Sequence, residues 1–115
     1  MLDLNDLRWL AGWLEGEGCF SLHKQIHAGK LYQYPRIVAG STDKDVLQRV
    51  AQLLGVKVLG PYLGLTKRPP RKKPFYECSV TGTGATEWMM TLYTLMGQRR
   101  KARIREVLAV WREGH

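Results

Sequence analysis

Apolar positions along the chain recur with two periods, and the switches between them mark out its elements. Leu7, Leu10, Ala11 and Leu14 fall at i, i+3, i+4 and i+7, one stripe of a first helix. That helix begins near Asp3 or Asn5, either of which can cap free amides, and ends at Gly16 or Gly18. Trp9, Gly12, Trp13 and Gly16 form a second stripe, roughly opposite the first. Over residues 19–26 the period falls to two, with Phe20, Leu22 and Ile26 on one side and Ser21, His23 and Gln25 on the other. Residues 27–30 read as a turn and 31–40 as the return strand of a hairpin. Ile37 and Ala39 then face the core, and Tyr34 and Arg36 join the polar face of the first strand. Pro35 lacks an amide proton, which predicts an edge or bulged strand.

Helical spacing returns after residues 41–45, where Ser41 and Thr42 offer a hydroxyl cap and Asp43 and Asp45 put acids in the first turn. Val46, Leu47, Val50, Leu53 and Leu54 form the buried face of this second helix, and Gly55 stops it. Residues 56–60 open a second hairpin. Its return strand, 75–81, sends Tyr76, Cys78 and Val80 inward and Glu77, Ser79 and Thr81 outward. A third helix over about 86–95 buries Trp88, Met89, Leu92 and Met96; Gly97 parts it from a fourth that carries Ile104, Val107, Leu108 and Trp111. The order is αββαββαα, an α+β chain. Its 115 residues suffice for one core, hence a single domain over 1–115.

The net charge of +8 and pI near 9.8 favour a polyanionic partner, nucleic acid first and an anionic membrane surface second. No apolar run approaches the roughly 20 residues of a membrane span, and the first residues lack the pattern of a signal peptide. The expectation is a protein that is cytoplasmic, or organellar or nucleoid-associated, and not secreted. Cys19 and Cys78 have no zinc-site spacing and read as reduced thiols. Lys67, Arg68, Arg71, Lys72 and Lys73, five basic residues in seven, form a Pro-stiffened loop that suits phosphate contact or a solvated turn. The uncharged polar side chains of the first hairpin suit base edges as well as water.

Charge placement adds two conflicts. Glu15 and Glu17 lie at the negative end of the first helix dipole, while Arg99, Arg100, Lys101 and Arg103 crowd the positive end of the fourth. Each set asks for opposite charge nearby: phosphate or the acids for the cations, cations for the acids. Gly12 and Gly16 flatten the outer stripe of the first helix so that another backbone can come close, and a second copy of the chain is its natural cover.

Residues 10–18, Leu-Ala-Gly-Trp-Leu-Glu-Gly-Glu-Gly, resemble the signature of the LAGLIDADG homing endonucleases. Leu10, Ala11, Gly12 and Gly18 match it outright, and the other five are replacements of like character. The resemblance extends over the whole αββαββαα order. It implies a four-stranded antiparallel saddle that lies in the major groove, with the helices on its other face. A single motif without an internal repeat implies a homodimer joined through Trp9, Gly12, Trp13 and Gly16, cutting a palindromic or nearly palindromic double-stranded DNA site. By the same resemblance Glu17 is the catalytic acid and metal ligand, with Mg²⁺ the expected ion and other divalent cations its substitutes; Arg99, Arg100 or Lys101 stands at the cleaved phosphate. Contact with DNA falls to Ser21, His23, Gln25, Tyr34, Arg36, Glu77, Ser79 and Thr81 and to the basic loop. Glu17 is one methylene longer than the family's Asp, and Glu15, pointing to another side of the helix, is structural or supports the metal ligand. Intron or intein association comes with the family. A non-cleaving nucleic-acid binder of the same fold, an RNA maturase or a transcription regulator, is the alternative, and a plain basic RNA-contact module a third.

Overall fold

Asp3 turns the start of the chain into a helix: its carboxylate accepts the Asp6 amide at 2.7 Å, a cap worth about 1 kcal/mol. From there α1 runs as Leu4–Glu17. The structure, a computed structural model, describes residues 2–62 and 74–114. Strands β1 (Gly18–His27) and β2 (Lys30–Ser41) form the first hairpin, and helix α2 (Lys44–Leu54) follows. Strands β3 (Leu59–Tyr62) and β4 (Phe75–Thr81) form the second, and α3 (Gly82–Leu92), a 3₁₀ turn (Tyr93–Leu95) and α4 (Gln98–Gly114) complete the order. The fold is α+β, with one antiparallel sheet in the order β1-β2-β4-β3. The basic loop with Lys67, Arg68, Arg71, Lys72 and Lys73 lies outside the described residues.

One face of the sheet carries the core. Phe20, Ile37, Ala39, Cys78 and Val80 are buried there against Leu10, Ala11 and Leu14 of α1 and Leu47 and Val50 of α2. Met89 and Leu92 of α3 and Ile104 and Val107 of α4 close it. Burying a residue of this size contributes roughly 1.5–3 kcal/mol, so the inward halves of the hairpins and helices are fixed together. Among the described residues no polar or charged side chain is buried.

Several sequence expectations change, among them the first strand of the second hairpin, which spans Leu59–Tyr62 rather than opening at 56. Ile26, expected inward, is 76% exposed, as is much of Leu31 opposite it, because the first hairpin runs on past the helices that cover Phe20. Strand β2 is central rather than an edge, yet Pro35 is accommodated: β4 pairing reaches only Arg36, opposite Thr81, so Pro35 lies one residue beyond that ladder. Ser41 does not cap α2. Its hydroxyl accepts the Asp43 amide at 3.0 Å, and Asp43 holds the cap position. Helix α3 starts at Gly82, whose φ of +67° turns β4 directly into it, rather than at 86. Gly55 closes α2 as expected, with φ +77°. No described helix is long and apolar enough to cross a membrane.

Candidate functional site

The closing turn of α1 treats its two acids differently. At Gly18 the backbone amide bonds Leu14 O, and a Cβ there would stand 2.7 Å from that oxygen, so only glycine lets the chain turn at once into β1. Glu17 is therefore the last helical residue. It is exposed, and no described residue forms an ion pair or side-chain hydrogen bond with it. Glu15 is fully engaged. Its Oε1 accepts the Gly97 amide in a short bond, Arg100 Nε lies 3.3 Å from its Oε2, and the same Nε donates to the Glu15 carbonyl at 3.2 Å. The wrong-end acid of α1 and a wrong-end cation of α4 thus compensate each other. Three residues past Glu17, the carbonyl of Phe20 accepts from Arg103 Nε at 3.0 Å. The start of α4 consequently holds the backbone on both sides of Glu17 and leaves its carboxylate free.

The opposite face of the sheet gathers polar side chains in rows, since residues paired across antiparallel strands share a face. Ser21, Arg36 and Thr81 form one row; Cys19, Val38 and Ser79 the next; His23 lies opposite Tyr34, and Gly40 opposite Glu77. The Tyr34 hydroxyl donates to Gln25 Oε1 at 3.1 Å, and the His23 and Tyr34 rings stand 5.1 Å apart. Arg36 reaches His23 Nδ1 at 3.4 Å and Glu77 at 3.9 Å. All eight strand residues expected to contact DNA, Ser21, His23, Gln25, Tyr34, Arg36, Glu77, Ser79 and Thr81, thus fall on one face. Tyr32, opposite Gln25 and 49% exposed, belongs with them; its place two residues before Tyr34 is the signal that finds it.

No protein-family model and no curated protein sequence matches the chain. Solved structures do. The homing endonuclease I-CvuI in complex with target DNA, in the presence of Mg and with the DNA not cleaved, is 19% identical at a TM-score of 0.71, covering 94% of this chain and 68% of that one. The group I intron-encoded homing endonuclease I-CeuI, complexed with DNA, is 13% identical at 0.68, covering 95% of this chain and 55% of that one. The LAGLIDADG meganuclease I-CpaMI, bound to uncleaved DNA, is 16% identical at 0.64, covering 98% of this chain and 40% of that one. The fold is that of a LAGLIDADG homing endonuclease half-domain.

Within this LAGLIDADG fold, the outer stripe of α1 divides. Gly12 and Gly16 are exposed, and a Cβ at either would meet nothing within 4 Å. Trp9 and Trp13 are half-buried against the protomer's own core, and the Trp9 ring is covered by the Arg49 guanidinium at 3.9 Å. Among the three basic candidates, Arg100 is committed to Glu15, whereas Arg99 is exposed without a partner among the described residues. Lys101 is half-buried, its ammonium 5.7 Å from the Tyr93 ring. Arg103 was absent from the candidates; its spacing of three from Arg100 puts both on one side of α4.

The described residues hold no group of three or more His, Cys, Asp or Glu able to enclose a metal by themselves. What α1 offers is one unpaired, exposed carboxylate, a donor set that fits an ion bound through few carboxylates, water and phosphate. Cys19 is exposed, while Cys78 is buried between sheet and helices. Burial, then the charge of neighbouring Glu77, pushes the Cys78 thiol up from 9.0 to about 11.

Proposed function

We propose that the chain is one half of a homodimeric, divalent-metal-dependent, site-specific DNA endonuclease. The observation that carries this reading is the free carboxylate of Glu17, held at the end of α1 by contacts on both flanks while Glu15 is consumed in supporting it. An acid left unpaired in a chain of net charge +8, where cations abound, is one kept for another partner. Glu17 from each subunit would hold a hard cation, Mg²⁺ first, which supplies charge against the scissile phosphate and lowers the pKa of bound water.

The rest of the chain binds and orients. The polar sheet face follows the major groove, where each base pair shows a distinct pattern of donors and acceptors. Arg99 and Lys101, not occupied by Glu15, stand for phosphate contact at the α1 end, and Lys67, Arg68, Arg71, Lys72 and Lys73 for further contact with the DNA backbone. Two copies meet through the open face at Gly12 and Gly16, which brings the two Glu17 carboxylates together and makes the target palindromic or nearly so.

A degenerate palindromic duplex library incubated with the protein and Mg²⁺, followed by sequencing of the ends, tests this reading. Staggered cuts at one palindromic sequence support it. Enrichment of a bound sequence without cuts supports a non-cleaving binder of the same fold, and no enrichment contradicts both.

A further inference from the structure

We propose that Arg36 selects a guanine in each half of the target site. The inference rests on the sheet face being the DNA-contacting surface, and it assigns one base to one residue. The outward positions of β1, β2 and β4 are nearly free of cations among the described residues. Apart from Lys30 at the hairpin turn, Arg36 is the sole Lys or Arg there. It lies on β2, one of the two inner strands, in the row Ser21–Arg36–Thr81, away from the edges of the sheet.

The guanidinium is already oriented. His23 of β1 holds it from one side, with Arg36 Nη1 3.4 Å from Nδ1, and Glu77 of β4 from the other, with Nη2 3.9 Å from Oε1. Arginine is always a donor, so the first contact requires the His23 tautomer protonated on Nε2. A side chain held from two strands loses less rotamer freedom on binding than a free one. One of its five N–H groups makes the His23 contact, and Glu77, at ion-pair rather than hydrogen-bond distance, takes up none, so four remain, enough for a two-pronged contact. The side chain is 30% exposed, so the remaining donors reach solvent.

Two ligands accept such a fork, a phosphate and the N7/O6 edge of guanine. Glu77 decides between them. Its carboxylate beside the guanidinium repels a phosphate, which carries formal charge, but does not oppose a neutral base edge. Guanine alone shows two adjacent acceptors in the major groove.

Selection of bound duplexes from a randomised palindromic library, with the parent and with Arg36→Ala and Arg36→Lys, tests the assignment. Circular dichroism confirms that the variants fold. The parent should enrich guanine at one symmetric pair of positions. Arg36→Ala should lower that preference by roughly 5- to 150-fold, the size of one good bidentate contact, while other positions keep theirs. Arg36→Lys keeps the charge and loses the fork, and should lose the guanine preference too. A guanine preference untouched by Arg36→Ala overturns the proposal. So does a uniform loss of affinity with a shallower salt dependence, rescued by lysine, which marks a phosphate contact. A parent that enriches no duplex at all overturns the DNA-binding reading and this proposal with it.

Discussion

Arg100 and Glu15 meet twice across 85 residues of chain: one guanidine nitrogen of Arg100 lies 3.3 Å from the Glu15 carboxylate and 3.2 Å from the Glu15 carbonyl. Gly97 completes the joint by donating its amide to the same carboxylate, and a Cβ at Gly97 would stand 2.8 Å from that oxygen. With the Arg100 side chain only 16% exposed, the pair is better shielded than an ordinary surface ion pair.

Glu15→Ala should therefore destabilise the fold by about 1–2 kcal/mol, because it leaves a partly buried guanidinium without its charge partner. Urea denaturation measures it. Arg100→Ala should cost a similar amount, and the double variant less than the sum of the two, since each removes the same interaction. Strict additivity would mean that the two side chains do not depend on each other.

The open glycine face makes a second prediction. Gly12→Leu adds a side chain where nothing lies within 4 Å in the protomer, so the fold should survive with a change in stability of under about 1 kcal/mol. A second α1 packed on that face would be held off. Sedimentation should give a monomer for the variant and a dimer for the parent, and a Gly12→Leu dimer would move the interface elsewhere.

The two cysteines should differ sharply in reactivity. Cys19 is exposed and should be alkylated in the native protein; Cys78, buried and with its thiol pushed up to about 11, should react only on unfolding. The raised value has a stability consequence of definite sign. The folded state keeps the Cys78 proton up to about pH 11 and the unfolded state releases it near 9, so this contribution is complete below pH 9 and is lost between pH 9 and 11. Up to about 2–3 kcal/mol is at stake. Comparing the alkaline decline of stability in the parent and in Cys78→Ala measures it; identical declines would contradict the raised thiol.

Element order and strand faces were legible in the sequence because period and burial are tied: the alternation of Tyr76, Cys78 and Val80 against Glu77, Ser79 and Thr81 is what a sheet with one covered face requires. The same rule failed at Ile26. Period tells which way a side chain points, and only the reach of the helices tells whether anything covers it. Pro35 correctly signalled a missing partner on one flank but not that β2 is central, since β4 simply ends beside it. At the site, nine residues pointed to Glu17, whereas the contrast between a free Glu17 and an engaged Glu15 was not readable. Both are acids in one helix turn, and their difference depends on where α4 docks.

Single-turnover cleavage of the selected duplex by the parent and by Glu17→Gln, under matched Mg²⁺, bears most directly on the central claim. Glu17→Gln removes a metal ligand and a negative charge near phosphate while touching no contact of the fold. DNA affinity should stay equal or rise. Cleavage should fall by more than the roughly 10- to 100-fold typical of losing a group that only supports a metal ligand. A Glu17→Gln protein that cuts as fast as the parent, or a parent whose cutting is indifferent to chelation of divalent cations, would contradict the account.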